Sequence, residues 1–173
     1  MTIDPVIATI VQYALAWLFL AAAMYKLRDI ADFRIVLATY RVMPDAFVAP
    51  AVGLVVAIEF AIGIGLLLQR RIAYAAAAAV LVGYATVIGL NLVRGRRLID
   101  CGCGGAAQPL SVGLVVRNCV LAVLALFGLA PVAARVVGWI DVVTIVAGVA
   151  AAGALYAAAN QLLAARARLE EWV

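Results

Sequence analysis

The stretch Arg94-Gly-Arg-Arg-Leu-Ile-Asp-Cys-Gly-Cys-Gly-Gly105 separates two long apolar runs and contains two cysteines one residue apart. This stretch is polar and rich in glycine, whereas the sequence on either side is almost entirely hydrophobic. Of the 173 residues, 69% are hydrophobic and 13% are charged, and the mean hydropathy is +1.18. Soluble domains are roughly half apolar and about a quarter charged. The composition therefore indicates a polytopic membrane protein with a reactive polar loop at the bilayer surface.

The composition also excludes several kinds of site. The chain has no histidine, which removes haem or zinc sites built on histidine and nucleophiles activated by it. The net charge of +4 comes from loops and the C-terminal tail, where it suits anionic lipid headgroups. No basic block with interleaved aromatic residues indicates a nucleic-acid surface. The partner that composition implies is the lipid bilayer.

Five apolar runs are each about 20 residues long, enough to cross a hydrocarbon core of about 30 Å at about 1.5 Å per residue. The predicted spans are 6–25, 46–68, 72–93, 110–130 and 140–163. The first run is too long for a cleaved signal peptide and lacks a basic start, so we expect it to be retained. We predict one all-α integral membrane domain over residues 1–173, in which a four-helix transmembrane bundle carries a peripheral fifth C-terminal helix.

Residues 29–43, after the first span, have the pattern of a short amphipathic helix. Four apolar side chains fall on one helical face: Ile30, Phe33, Leu37 and Tyr40. Pro44 ends the segment. We expect this helix to lie in the membrane interface or to cap the bundle. The alternative is an ordinary loop next to the membrane.

Cys101 and Cys103 are the candidate catalytic residues. A thiolate is the reactive form of cysteine, and nearby basic residues favour it, as does the start of the following span, where free N–H groups carry partial positive charge. Three arginines precede the pair, whereas Asp100 opposes thiolate formation. The neighbouring glycines allow a tight Cys-Gly-Cys disulfide, and a strained, exposed disulfide suits thiol–disulfide exchange.

Two other interpretations of the cysteine pair stay open. Two thiolates could hold a soft ion such as Cu(I) or Hg(II), although four-coordinate zinc would lack ligands. The two residues could also simply begin a helix without a chemical role. The third cysteine, Cys119, lies two turns into the fourth span, where we expect a buried small apolar side chain.

Polar residues inside the predicted spans form the second group of candidate site residues. Glu59 lies in the middle of the second span, and Arg117 and Asn118 lie in the second turn of the fourth. A charge at the centre of a span costs about 2.5–3.5 kcal/mol, so we expect a partner or a function. Their depths allow a Glu59–Arg117 pair, which would be either a structural latch or part of a polar pocket for a quinone headgroup or a proton path. Lys26 is either an interfacial anchor or a site residue.

These residues together resemble the methylamine-utilisation MauE family, within the wider DoxX-like membrane proteins. The resemblance covers residues 6–130 and rests on Lys26, the Phe33…Tyr40…Pro44 segment, Glu59, the Cys101-Gly-Cys103-Gly stretch and Arg117-Asn118. Gly104 stands where that family often has an aromatic residue. The fifth helix carries no feature of the family.

The resemblance implies a redox-associated membrane protein that supports disulfide formation or maturation of exported proteins. The family is associated with the maturation of methylamine dehydrogenase, alongside a thioredoxin-like partner. The layout is also similar to that of vitamin K epoxide reductase, with reactive cysteines at the start of the fourth span. By that likeness, electrons would pass from partner thiols through Cys101 and Cys103 to a membrane quinone. The resemblance thus implies a possible thiol–disulfide oxidoreductase in the plasma membrane.

The distribution of basic residues conflicts with this implied orientation. The side of the membrane that holds the cysteines has nine basic residues: Lys26, Arg28, Arg34, Arg41, Arg94, Arg96, Arg97, Arg166 and Arg168. The opposite side has three: Arg70, Arg71 and Arg135. The positive-inside rule places the cysteines in the cytoplasm, whereas disulfides persist outside it. We follow the resemblance and expect an extracytoplasmic cysteine loop.

Two other functions fit the same sequence. The first is a carrier or permease for soft metal ions, which the cysteine pair would receive at the surface. The second is a non-catalytic subunit of a larger membrane complex, in which the fifth helix is the docking surface. The relay, with Glu59, Arg117, Asn118 and Lys26 supporting the cysteine pair from within the bilayer, is the function that we predict.

Overall fold

The chain folds as an all-helical membrane protein, as the sequence predicts. The computed structural model describes residues 2–96, 98–102 and 108–170, and the side chains among them up to residue 165. Within these ranges there are six helices: α1 (Pro5–Arg28), α2 (Ile30–Thr39), α3 (Asp45–Leu67), α4 (Arg71–Val93), α5 (Val112–Phe127) and α6 (Trp139–Glu170). The predicted site residue Cys103 lies outside the described residues.

Four helices, α1, α3, α4 and α6, are long and apolar enough to cross a membrane. The protein is therefore a multi-pass membrane protein. Helix α5 has 16 residues and is about 24 Å long, shorter than the predicted span 110–130. It is shorter because Leu110 is extended, its N–H donating to the carbonyl of Ile99 at 3.1 Å, and because α5 ends at Gly128, whose N–H caps the helix.

The core of the bundle lies between α1, α3, α4 and α5. Helix α1 packs against α3, α4 packs against both α3 and α5, and α2 lies on α3. Close approach of α1 and α3 depends on Gly63, because a Cβ there would lie 2.6 Å from Cγ of Leu20. This contact is the kind of small-residue interface that membrane helices use where the hydrophobic effect does not drive association.

Helix α6 is peripheral, as predicted, and it packs mainly against α1. Near its start, Asp141 pairs with Arg135 at 2.8 Å, close to the beginning of α1. Near its other end, Asn160 contacts the first turns of α5. None of its residues from 139 to 165 is buried. Its outer surface is therefore free to face lipid.

Helix α2 forms a cap over the cysteine end of the bundle and is shorter than the predicted segment 29–43. It begins at the cap residue Asp29, whose carboxylate accepts the N–H of Asp32. Phe33, Leu37 and Tyr40 face a cavity in the bundle. Ile30, which the periodicity placed on the same face, is the first residue of the helix and is 48% exposed.

Candidate functional site

A cavity of about 350 Å³ lies in the half of the bundle nearest the cysteines. Its walls are mainly apolar, and the polar and sulfur-bearing residues in them come from all six helices, counting the cap residue of α2, and from the cysteine loop. They are Lys26, Tyr40, Glu59, Tyr84, Cys101, Arg117, Asn118 and Tyr156. The structure thus brings five of the six predicted site residues to one cavity, and the sixth, Cys103, is not described.

Lys26 and Glu59 form a buried ion pair across α1 and α3. The Lys26 Nζ donates to both carboxylate oxygens of Glu59, at 2.8 and 2.9 Å. The two side chains are only 5% and 1% exposed. Tyr84 on α4 donates its hydroxyl to Glu59 Oε1 at 2.6 Å, so three helices meet at one carboxylate.

Aromatic rings complete the surroundings of the lysine. The Lys26 Nζ lies 5.2 Å from the centre of the Phe33 ring and 5.9 Å from that of Tyr84. Both distances fall within the range of cation–π attraction. Lys26 is thus buried in the cavity wall, whereas an interfacial anchor would extend towards water.

The predicted ion pair between Glu59 and Arg117 is wrong. Glu59 pairs with Lys26, while Nη1 of Arg117 donates to Asn160 Oδ1 at 2.6 Å. The Arg117 guanidinium also lies 5.6 Å from the ring centre of Tyr156. Counting helix turns gives the depth of a residue in the membrane but not the direction in which its side chain points, and here the directions differ.

Asn118 is buried and anchored within its own helix. Its Nδ2 donates to the Leu114 carbonyl at 2.8 Å, one turn earlier in α5. Because an amide group has two donor hydrogens and a carbonyl oxygen, this bond leaves it further hydrogen-bonding capacity. Asn118 therefore contributes a fixed amide to a wall of the cavity that is otherwise largely apolar.

The loop that carries Cys101 is a short hairpin held by backbone hydrogen bonds. The Cys101 N–H donates to the Gln108 carbonyl at 3.0 Å, and the Tyr40 hydroxyl donates to the Cys101 carbonyl at 3.1 Å. Asp100 accepts the N–H groups of Gly102 and Gln108 at 2.8 and 3.1 Å. Asp100 thus orders the loop, a role that the sequence analysis did not assign to it.

Contacts of Cys101 and of the next residue, Gly102, position the thiol. Its Sγ lies 3.8 Å from Oε1 of Gln108, and Gln108 is itself buried. On the other side, Gly102 has a φ of +65° and lies against α2, where a Cβ would be 3.1 Å from Cγ1 of Val36. A residue with a Cβ would be strained at this φ and would require the Val36 side chain to shift, so glycine suits the position.

Cys119 does not belong to this arrangement. We expected a buried small apolar side chain, but Cys119 is exposed on the surface of α5. Its neighbour Asn118 points into the cavity instead. Adjacent residues on a helix face different directions, so Asn118 is buried and Cys119 is not.

Four residues around the cavity were not identified from the sequence: Tyr84, Gln108, Tyr156 and Asn160. Tyr84, Tyr156 and Asn160 are polar groups within apolar runs, and such groups require partners inside a membrane. That signal was present but was weaker than a full charge. Gln108 lies in the loop, and nothing in the sequence distinguishes it from other loop residues.

The chain is similar in sequence to a known family of proteins. The family described as "Methylamine utilisation protein MauE" matches residues 4–131. A methylamine utilization protein MauE from Paracoccus denitrificans is 42% identical over 129 residues, which cover 72% of this chain and 69% of that protein. The protein of the same name from Methylorubrum extorquens is 40% identical over 131 residues, covering 73% and 70%.

A third relative extends the match further along both chains. The methylamine utilization protein MauE from Paracoccus versutus is 37% identical over 147 residues, covering 82% of this chain and 78% of the relative. No solved structure matches the chain. The region matched by the family contains α1 to α5 and all six of the predicted site residues.

Proposed function

This chain belongs to the MauE family, and we propose that it is a membrane thiol–disulfide relay acting in methylamine utilisation. In this role it supports disulfide formation or maturation of exported proteins. The names of the relatives connect them to methylamine utilisation, and the cysteine loop supplies the chemistry. Cys101 and Cys103 are the exchanging pair.

The position of Cys101 on the cavity wall is the observation that carries this proposal. Cys101 lies at the end of the bundle where exported or thioredoxin-like proteins could approach it, and it also faces a cavity that reaches down to Glu59. A cysteine that only filled space would not require a hydrogen-bonded hairpin beside such a cavity. The geometry favours transfer between a surface partner and a ligand within the bundle.

The residues of the cavity fit a quinone. A volume of about 350 Å³ with apolar walls and a few polar groups is typical of sites for small organic ligands. The two carbonyl oxygens of a quinone accept hydrogen bonds, and the guanidinium of Arg117 and the amide of Asn118 are donors in the wall. The apolar lining suits a ring and an isoprenoid chain.

The chemistry of the relay balances in two halves. A thiolate of the partner attacks one sulfur of the Cys101–Cys103 disulfide and forms a mixed disulfide, releasing the other cysteine as a thiolate. The second partner thiolate then attacks the partner sulfur of the mixed disulfide and releases the remaining cysteine. The partner gains a disulfide, and Cys101 and Cys103 become thiols. The return of the two thiols to the disulfide requires an acceptor of two electrons and two protons, and a quinone held by Arg117 and Asn118 would supply that chemistry.

The polar residues around the cavity have separate tasks in this scheme. Lys26 and Tyr84 donate hydrogen bonds to the Glu59 carboxylate, which keeps exchangeable protons beside the cavity. Arg117 and Asn118 orient the ligand. Gln108 and Tyr40 hold Cys101 against the cavity. We place the protein in the plasma membrane with its cysteine loop on the extracytoplasmic side.

The test is quinone reduction by the purified protein in lipid nanodiscs, with reduced ribonuclease A as the thiol donor and ubiquinone-1 as the acceptor. We expect loss of ubiquinone-1 absorbance that depends on the protein. The Cys101→Ser/Cys103→Ser variant should show only the background rate. Cys119→Ser is the matched control, since that cysteine lies outside the cavity, and it should retain the wild-type rate.

Other outcomes would identify the other functions. An equal rate for the wild type and the Cys101→Ser/Cys103→Ser variant contradicts the relay. Stoichiometric Cu(I) or Hg(II) binding that is lost with the two thiols, without quinone reduction, would identify a soft-metal carrier. Undiminished growth on methylamine with the cysteine-free protein would identify a non-catalytic subunit of a larger complex.

A further inference from the structure

Helix α6 lies beyond the region that the family matches, residues 4–131, and yet it contributes side chains to the site. Tyr156 forms part of the cavity wall. One turn further on, Asn160 accepts a hydrogen bond from Nη1 of Arg117 at 2.6 Å. A peripheral helix that only covered the bundle would need neither group.

Asn160 is held in place by the cysteine loop as well as by its own helix. Its backbone carbonyl accepts a hydrogen bond from Nε2 of Gln108 at 3.1 Å. A helical carbonyl has a second lone pair with which to accept this bond. Because the donor must be the nitrogen of the Gln108 amide, its oxygen is turned towards Cys101, 3.8 Å from Sγ.

A close contact joins α6 to α5 near the same level. Leu163 lies against Gly113, where a Cβ would be 2.3 Å from Cδ2 of Leu163. A residue larger than glycine at position 113 would require the Leu163 side chain to move. Glycine at this position therefore lets the part of α6 that carries Asn160 lie close to the start of α5.

Arg117, in the second turn of α5, needs a contact such as that with Asn160 to hold its side chain in one position. Arginine has a long side chain with many rotamers, so holding it in one orientation costs conformational entropy. A hydrogen bond to a charged group and a nearby aromatic face both favour one orientation. Asn160 and Tyr156 provide these two interactions from the same face of α6.

We propose that Asn160 is a positioning residue that holds the Arg117 guanidinium in the cavity wall, which makes α6 a working part of the ligand site. The proposal rests on the proposed function for the class of its ligand, a quinone. It does not depend on thiol exchange. Asn160 acts through Arg117.

The experiment measures ubiquinone-1 binding by calorimetry in nanodiscs, using the Cys101→Ser/Cys103→Ser protein so that no turnover takes place. We expect Asn160→Ala to raise the dissociation constant about tenfold, as for loss of a hydrogen bond to a charged group. Asn160→Asp keeps an acceptor oxygen at the same place and should stay within about threefold of the parent, by the same scale. Gln161→Ala is the matched control, since Gln161 is the neighbouring amide and is exposed.

The outcomes separate this inference from the proposed function. Equal dissociation constants for the parent and Asn160→Ala would overturn the positioning role while leaving a quinone site in place. An equal loss in Asn160→Ala and Asn160→Asp would also overturn it, because the acceptor oxygen would then be irrelevant. Absence of ubiquinone-1 binding by the parent would overturn both this role and the quinone part of the relay.

Discussion

Lys26 in α1 and Glu59 in α3 form a buried ion pair, with exposed fractions of 5% and 1%. Removing two charges from water costs several kcal/mol per ion, by order of magnitude, and a pair recovers this only with good geometry. Here the ammonium reaches both oxygens of the carboxylate, and Tyr84 donates to one of them. The cluster is thus satisfied, which makes it sensitive to removal of one member.

We predict that removing one partner destabilises the protein more than removing both. Lys26→Met and Glu59→Leu each leave an uncompensated buried charge and should lower the free energy of unfolding by about 3–5 kcal/mol. The double variant leaves no charge, so it should recover most of the loss. The measurement is the denaturation midpoint of each variant in the same detergent.

Activity in the same set of variants distinguishes a functional pair from a structural latch. If the pair only joins α1 to α3, the double variant should reduce ubiquinone-1 at the wild-type rate. We expect the double variant to be stable but slow, because it no longer holds protons beside the cavity. A stable double variant with the full rate would remove Lys26 and Glu59 from the mechanism.

At the scale of the elements, the cysteine loop and α2 form one unit. Gly102 contacts Val36 and Phe33, and the Tyr40 hydroxyl donates to the Cys101 carbonyl. Helix α2 has no buried residue along its own length, so its position depends on these contacts and on α3. The loop is therefore expected to move whenever α2 moves.

Two glycines with similar backbone conformations test this coupling. Gly102 and Gly95 have φ values of +65° and +74°, so alanine is strained at either position by about 1–2 kcal/mol. Only at Gly102 would the new Cβ meet another element, 3.1 Å from Val36, whereas the space around Gly95 is open. We predict that Gly102→Ala lowers the rate of quinone reduction severalfold, while Gly95→Ala changes only thermal stability. Equal effects on the rate would show that the contact with α2 is unimportant.

The helices themselves could be predicted because a membrane span requires a long apolar run, and that signal is local. Four of the predicted spans agree with α1, α3, α4 and α6 to within a few residues at most of their ends. The predicted span 110–130 is longer than α5, because Leu110 is apolar but its N–H pairs with the hairpin. Apolar composition does not show whether a residue near a span end continues the helix.

The site could be predicted only in part for a related reason. The sequence identified Lys26, Glu59 and Arg117 because charges are rare in apolar runs. The partners of these charges depend on the rotation of each helix about its axis, which composition does not specify. Glu59 was therefore given the wrong partner, and Asn160 was not recognised as a partner at all.

At the scale of the whole molecule, the end opposite the cysteines is closed by an exposed cluster of charges. Arg135 pairs with Asp4 at 2.9 Å and with Asp141 at 2.8 Å, which joins the beginning of α1 to the beginning of α6. A second connection is backbone pairing, in which the Ile3 N–H donates to the Pro131 carbonyl at 2.9 Å. These contacts position α6 at the end remote from Asn160.

This cluster gives the stability of the fold an acid dependence of predictable sign. The hydrogen bond from the Arg135 side chain, together with that from the Val6 N–H, lowers the pKa of Asp4 below its ordinary value of 3.8. Because the folded-state pKa is depressed, the stabilisation is present above pH 3.8 and is lost as the pH falls through the folded value. Wild-type protein should lose stability in that range.

The variant that tests this dependence is Asp4→Asn. Its amide oxygen can still accept the Val6 N–H and cap α1, so only the ion pair is removed. We expect a melting temperature a few degrees lower at most at pH 7, since exposed ion pairs contribute little, and no difference from the wild type below the folded pKa. Asp32→Asn, an exposed carboxylate at the other end, is the control. A difference that persists in acid would point to a cause other than this ion pair.

The orientation of the whole molecule in the membrane decides which proteins the cysteine loop can meet. The basic residues of α2 and the adjoining turn, such as Arg34 and Arg41, are exposed at the cysteine end. Anionic lipids of the cytoplasmic leaflet would attract them, and the positive-inside rule uses this bias. A relay to exported proteins, however, needs the pair where disulfides persist. The two arguments predict opposite compartments for one loop.

Labelling of intact cells with a membrane-impermeant maleimide resolves this conflict, in a Cys119→Ser background so that only the loop cysteines react. We predict labelling after treatment with a reductant and none before it, because an extracytoplasmic pair would be held as a disulfide. A Cys101→Ser/Cys103→Ser/Cys119→Ser protein is the control for background. Labelling only after lysis would place the loop in the cytoplasm, where thiols stay reduced. The charge bias would then have set the topology, and the pair would serve a cytoplasmic reductant path or soft-metal transport.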